Sequence, residues 1–153
     1  MKTGQQAPAF TLTDTDNKSV SLNDFTGKNV LLLFFPQAFT SVCIREFCDV
    51  RDQSSVYEGL SAQILGISVD PIELLVRFKN EHQLNFPMLS DGAREVSKAY
   101  DCLYESSTFD LNQVSKRSAF LIDKQGIIRY AEVLENPGEL PDFNAILKTL
   151  AEI

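Results

Sequence analysis

The chain has 153 residues, 44% of them hydrophobic and 23% charged, which is the composition of a folded globule and not of a disordered segment. Fourteen Lys and Arg against twenty-one Asp and Glu leave a formal charge of -7, a field that repels phosphate backbones and anionic lipid. Nucleic acid and membrane surfaces are therefore poor partners, and no apolar run approaches the roughly 18 residues that span a bilayer.

A chain of this length predicts one domain over residues 1–153, with a core large enough to need no disulfide or metal staple. Met1-Lys2-Thr3-Gly4-Gln5-Gln6 lacks the apolar core of a signal peptide, so a cytoplasmic chain that begins here is expected. Three cysteines in a reducing compartment are not a structural framework, and an odd count leaves at least one thiol free.

In chain order, Ala9 to Leu22 alternates apolar and polar residues around Asp14-Thr15-Asp16-Asn17-Lys18, which predicts an edge hairpin. Asn23 to Lys28 is turn chemistry, with Gly27 free to take a positive φ. Val30 to Phe35 is a continuous apolar run stopped by Pro36, the pattern of a central strand covered on both faces. A helix is expected from Thr40 to Tyr57, with Thr40 or Ser41 as its N-cap and Glu46 in its early turns.

Gln63 to Val69 predicts a second buried strand, and Pro71 opens a helix carrying Leu74, Leu75 and Phe78 at helical spacing. Phe86 to Leu89 is a short extended segment, and Arg94 to Tyr100 is helical. Ser118 to Asp123 and Ile127 to Val133 read as two strands joined by the tight turn Lys124-Gln125-Gly126. Phe143, Ile146, Leu147 and Leu150 give the stretch from Pro141 to Ile153 one apolar face, that of a helix docked on a sheet. The order predicts an α/β fold: a central mixed β-sheet flanked by helices, with an N-terminal β-hairpin.

In such sheets the reactive groups gather where strands end and helices begin. Pro36 to Cys43 is such a junction. Cys43 falls in the first turn of the following helix, where free N–H groups and the helix dipole favour an anion, so its thiol should ionise readily. Thr40 stands three residues earlier, its hydroxyl close enough to face the sulfur. Pro36 stiffens the strand exit and covers one side of it. Phe39 is apolar in a polar turn, suited to walling the pocket or burying against a partner chain.

Pro36-x-x-x-Thr40-x-x-Cys43 at a strand–helix junction resembles the active-site signature of the peroxiredoxins, thiol peroxidases with a thioredoxin-like fold. The resemblance extends to Gly4 to Phe10, Ser21 to Lys28, Phe86 to Asp91 and Ile122 to Arg129, so it covers nearly the whole chain. Within the family the chain is most similar to the AhpE-like and bacterioferritin-comigratory-protein (thiol peroxidase Q) branches. The resemblance implies that Cys43 is the peroxidatic cysteine, with Thr40 and Pro36 as its pocket. It also matches Arg117 to the family's distant arginine and Glu46 to the glutamate that steadies it. The implied reaction is reduction of hydrogen peroxide and small organic hydroperoxides through a Cys43 sulfenic acid.

The arithmetic shows why a cysteine alone would not suffice. An ordinary thiol is about 3% thiolate at neutral pH, so full ionisation gains at most roughly thirtyfold, about 2 kcal/mol of barrier. Fixed donors on the departing oxygen, such as Arg117, the Thr40 hydroxyl and the Cys43 N–H, would each add about 3–4 kcal/mol.

Cys48 lies five residues after Cys43. In an intact helix the two Cα atoms are about 8.6 Å apart and about 140° around the axis. A disulfide allows roughly 7 Å, so pairing them would require the helix to unwind. The comigratory-protein branch has this cysteine spacing, which makes Cys48 a resolving thiol within one chain; the AhpE-like branch usually lacks it, which leaves resolution to an external thiol.

Cys102 reads as a packing residue, and His82, the only histidine, as solvated at a helix end. No second histidine, Cys-x-x-Cys spacing or glycine-rich phosphate loop is present in the sequence, so no metal and no cofactor are implied. The expected partners are a peroxide and a thioredoxin-, glutaredoxin- or low-molecular-weight-thiol-type reductant. A homodimer through the loops around Phe39 is implied by the family, with monomers known in one branch. Two other readings use the same fold: a general thiol–disulfide oxidoreductase, disfavoured by the missing Cys-x-x-Cys, and a redox-sensing or chaperone-like binding module that does not turn over.

Overall fold

The computed structural model describes residues 1–105 and 111–153. Seven strands form one mixed sheet in the order β2-β1-β5-β4-β3-β6-β7. The N-terminal hairpin, β1 (Thr11–Asp14) and β2 (Ser19–Ser21), occupies one edge. A single 3₁₀ turn at Leu22–Phe25 follows, and Gly27 takes φ +91° where a side chain would be strained. β3 (Asn29–Phe34) is buried along its whole length, as its unbroken apolar run requires. It pairs parallel with β4 (Ala62–Ser68) and antiparallel with β6 (Ser118–Ile122). β5 (Met88–Ser90) lies parallel to β4, and β7 (Ile128–Val133) closes the other edge against β6. Parallel pairing thus occurs where helices cross over, as the element order predicts, and antiparallel pairing occurs both in the two hairpins and between the distant strands β3 and β6 and β1 and β5.

Alternation along β3 divides the interior into two cores. Leu31, Leu33 and Phe35 face helices α1 (Ser41–Asp52), α3 (Ile72–Glu81) and α5 (Phe143–Glu152), meeting Phe47, Phe78, Ile146 and Leu150. Val30, Leu32 and Phe34 face the other way, toward Tyr100 at the end of α4 (Glu95–Ala99) and the N-terminal segment. Gly66 in β4 is what lets α1 sit close to the sheet. A Cβ there would stand 2.6 Å from the Met88 sulfur and 3.1 Å from the Phe47 ring.

The expected helix from Thr40 to Tyr57 is two helices. α1 stops at Asp52, Gln53 takes φ -99° and ψ 9°, and α2 (Ser54–Gly59) restarts in a new direction to bury Tyr57. Asp52, Ser54 and Ser55 compete with the backbone for its hydrogen bonds, so local propensity does not carry the helix through this point. Among the described residues no helix is long and apolar enough to cross a membrane.

Candidate active site

β3 delivers the chain to the site. Phe35 still donates its N–H to the Ile67 carbonyl at 3.0 Å, and Pro36 then ends the ladder because it has no N–H to give. The loop that follows is anchored by a residue that sequence reading passed over. Asp70, just beyond β4, accepts the Ala38 N–H at 2.8 Å and the Ser68 hydroxyl at 2.8 Å. The signal was there in the sequence, a carboxylate between a buried strand and the helix-opening Pro71.

Thr40 holds the N-cap position of α1, with φ -80° and ψ 149°, but its side chain caps nothing. Its hydroxyl instead donates to the Gln37 carbonyl at 3.1 Å, inside the loop. Thr40 is thus the N-cap residue, as expected, without a side-chain cap bond, and its hydroxyl proton is engaged within the preceding loop. Cys43 is in the first turn of α1, where amides, its own included, lack intrahelical partners. Its side chain is fully buried.

Arg117 enters from the residue before β6 and is 1% exposed. Its Nη2 donates to Cys43 Sγ at 3.1 Å, and its Nη1 donates to Glu46 Oε1 at 2.6 Å. The Pro137 carbonyl accepts from Nη2 at 3.2 Å and from Nε at 3.4 Å, a contact that no local sequence pattern announced. A planar guanidinium serves all three at once where an ammonium could not. Burial works against the charge on Arg117, but Glu46 and Cys43 outweigh it and the guanidinium is held more firmly protonated than usual. Burial pushes the Glu46 carboxyl up to about 7 against the pull of Arg117, and its Oε2 has no hydrogen-bond partner among the described residues. A cation fixed 3.1 Å from a buried sulfur is complementary to a thiolate and to negative charge developing beside it.

A cavity of about 260 Å³ opens onto this group, lined by Pro36, Gln37, Thr40, Val42, Leu111, Arg117, Pro137 and Gly138. The structure thus brings together Pro36, Thr40, Cys43, Glu46 and Arg117, five residues singled out from the sequence. Phe39 is not with them. It adopts φ +67° and turns its ring onto α3, 5.3 Å from Phe78 and 6.1 Å from His82. The expectation that it walls the pocket is replaced by packing on α3, because the left-handed backbone at 39 points the ring away.

Cys48 is half-buried on an intact α1, and all three cysteines are free. His82, expected to be solvated, is half-buried between aromatic rings, with Nδ1 3.9 Å from Cys48 Sγ. Cys102 is fully buried in the opposite core, where burial pushes its thiol up to about 12.

Residues 3–131 match the family model described as the AhpC/TSA family. The chain is 38% identical over 130 residues to a putative peroxiredoxin of Mycobacterium tuberculosis (strain ATCC 25618 / H37Rv), covering 84% of this chain and 83% of that protein. It is 38% identical over 147 residues to the alkyl hydroperoxide reductase E of Mycobacterium bovis, covering 93% and 91%. In three dimensions it superposes on the crystal structure of peroxidoxin BcpB from Mycobacterium tuberculosis with a TM-score of 0.88 at 28% identity, covering 100% and 98% of the two chains.

Proposed function

The chain belongs to the AhpC/TSA family, the peroxiredoxins, and from that premise we propose that Cys43 is the peroxidatic thiol of a thiol-dependent peroxidase, with Arg117 as its charge partner. The observation that carries this reading is the 3.1 Å bond from Arg117 to Cys43 Sγ, made by a guanidinium that Glu46 grips from the other side.

The peroxide enters by the cavity at Pro36 and Thr40, and the Cys43 thiolate attacks one peroxide oxygen in line with the O–O bond. That bond breaks, sulfur takes the hydroxyl as a sulfenic acid, and the other oxygen departs as hydroxide or alkoxide, which takes up the proton released when the Cys43 thiol ionised and leaves as water or an alcohol. Charge grows on the departing oxygen, where Arg117 and the Cys43 N–H act as donors fixed beforehand. Thr40 offers its oxygen lone pairs to a hydroperoxide O–H while its own proton stays on Gln37. Its donation to the departing oxygen requires the hydroxyl to turn. Cys48 then resolves the sulfenic acid within the chain after the first turns of α1 unwind, and a thioredoxin-, glutaredoxin- or low-molecular-weight-thiol-type reductant restores both thiols.

Arg117→Ala is expected to lower the second-order rate with hydrogen peroxide by roughly a hundredfold or more, the loss that follows removal of one fixed donor. Single-turnover competition kinetics read this directly, and an unchanged rate sinks the charge-partner role. Intact mass after one equivalent of peroxide reads the resolving step: loss of two hydrogens supports Cys43–Cys48 pairing, and retention of one oxygen refutes it.

A further inference from the structure

Cys48 lies about 140° around α1 from Cys43, and it faces the end of α3. There the one imidazole of the chain is held in place from three directions. Its ring packs edge-on to Phe78 at 5.3 Å and against Phe39 at 6.1 Å. Arg51, one turn after Cys48, donates Nη1 to the His82 backbone carbonyl at 2.6 Å and so ties α1 to the end of α3. The result is an oriented imidazole whose Nδ1 lies 3.9 Å from a half-buried thiol. An imidazole at the outer edge of hydrogen-bond reach from a thiol is placed to draw its proton once the two close up.

We propose that His82 is the general base for Cys48. The proposal rests on the reading of Cys48 as the resolving thiol. The Cys48 S–H proton passes to the imidazole as the sulfur lone pair attacks the sulfur of the Cys43 sulfenic acid. The S–O bond of Cys43 breaks, and the departing hydroxide takes the proton back from the imidazolium and leaves as water. The Cys43 sulfur is reduced as Cys48 is oxidised, so no outside oxidant enters.

The surroundings fit the task. The charged groups near the imidazole are Arg51 from α1, paired with Asp52 at 3.0 Å, and Arg77 from α3, which lies 5.7 Å over the Phe39 ring. Glu81, next in the chain, is exposed. The Arg51 guanidinium favours a negative sulfur at Cys48. Phe39, packed on the imidazole, lies in the loop just before the first turns of α1, the turns that must unwind to bring Cys43 within bonding range.

The test uses the full chain. In a Cys43→Ser background, alkylation of Cys48 by iodoacetamide is followed by intact mass from pH 5 to 10, with and without His82→Gln. With His82 present Cys48 is expected to react at lower pH than in the His82→Gln variant, whose profile is displaced upward. At pH 7 the reaction should slow by roughly tenfold to thirtyfold, since an unassisted thiol is only about 3% ionised there. In the native background, His82→Gln should slow the loss of two hydrogens after one equivalent of peroxide by a similar factor, and added imidazole should restore it. His82→Asn repeats both measurements, so misfolding of one variant does not decide the outcome. Superimposable alkylation profiles, or disulfide formation at the full rate without His82, overturn the proposal. Native protein that keeps one oxygen and never loses two hydrogens overturns instead the resolving role of Cys48, while the alkylation profiles still judge the His82–Cys48 pairing.

Discussion

Cys43 and Cys102 are both fully buried, on opposite faces of the same sheet, yet they sit in opposite electrostatic surroundings. Beside Cys43 stands a guanidinium at 3.1 Å, with a cavity at its mouth. Around Cys102, burial pushes the thiol up to about 12, and Asp91 and Asp101 add to the effect while Ser118 and Lys116 offset part of it. Depth alone silences a thiol; a buried cation aimed at the sulfur favours its thiolate, which is what the nucleophilic role proposed for Cys43 requires. The carboxylates of the two regions differ in the same way. Asp91 accepts from the Val96 N–H, the Ser97 N–H and the Ser97 hydroxyl, the last two at 2.7 and 2.8 Å. Glu46 is as deeply buried and leaves one oxygen without a partner among the described residues. The Cys102 side is satisfied and structural, whereas the Cys43 side keeps an unmade bond next to the chemistry.

The largest effect that would break this contrast is on the structural side. Asp91→Ala strands three donors in the interior and is expected to cost on the order of 3–5 kcal/mol of stability. The rate of Cys43 oxidation in the still-folded protein should stay the same. Urea unfolding with peroxide kinetics on the same sample checks both, and a fall in rate would mean that the two faces are coupled.

On the reactive side the effect depends on pH. Burial holds the Glu46 carboxyl at about 7, above its ordinary 4.5, so between those values the folded protein keeps a proton that the unfolded chain has released. The stability from this proton is full below pH 4.5 and is lost as pH rises through 7, on the order of 3 kcal/mol in all. Glu46→Gln fixes the neutral form. The unfolding free energy of the native protein should therefore drop relative to the variant across that window. A difference that does not vary with pH would mean that the carboxyl is ionised throughout in the folded state.

The smallest effect sharpens the comparison. Cys102→Ala removes one buried sulfur and should cost about 1 kcal/mol, the scale of a small core deletion, with the peroxide rate unchanged. If peroxide turnover falls with that substitution, Cys102 is not a packing residue.

Much of this contrast was legible in the chain. The apolar run from Val30 to Phe35 can only be a strand covered on both faces, and it is. Pro36, Thr40 and Cys43 follow so closely that the strand–helix junction places them together whatever the rest of the fold does. Arg117 could be picked out by its resemblance to a family position, although 74 residues separate it from the sulfur it touches. Other features left no local trace. The Thr40 hydroxyl could serve a cap or the loop, and the geometry of Gln37 settled it. Phe39 was apolar in a polar turn, and its φ of +67° sent it to α3 and not to the pocket. The helix break at Gln53 fell in a stretch of weak helix formers, Asp52, Ser54 and Ser55, and beyond it Tyr57 is buried.

By itself the sequence determined the order of the strands, the strand buried on both faces and the junction that carries Cys43, because these follow from periodicity and from neighbours a few residues apart. Only the tertiary structure decided what each sulfur faces: Arg117, itself held by the Pro137 carbonyl, beside Cys43, His82 beside Cys48, and an apolar core with Ser118 around Cys102. Such partners come from distant segments, and their effect depends on distances of a few ångströms at low dielectric, which no spacing along the chain encodes.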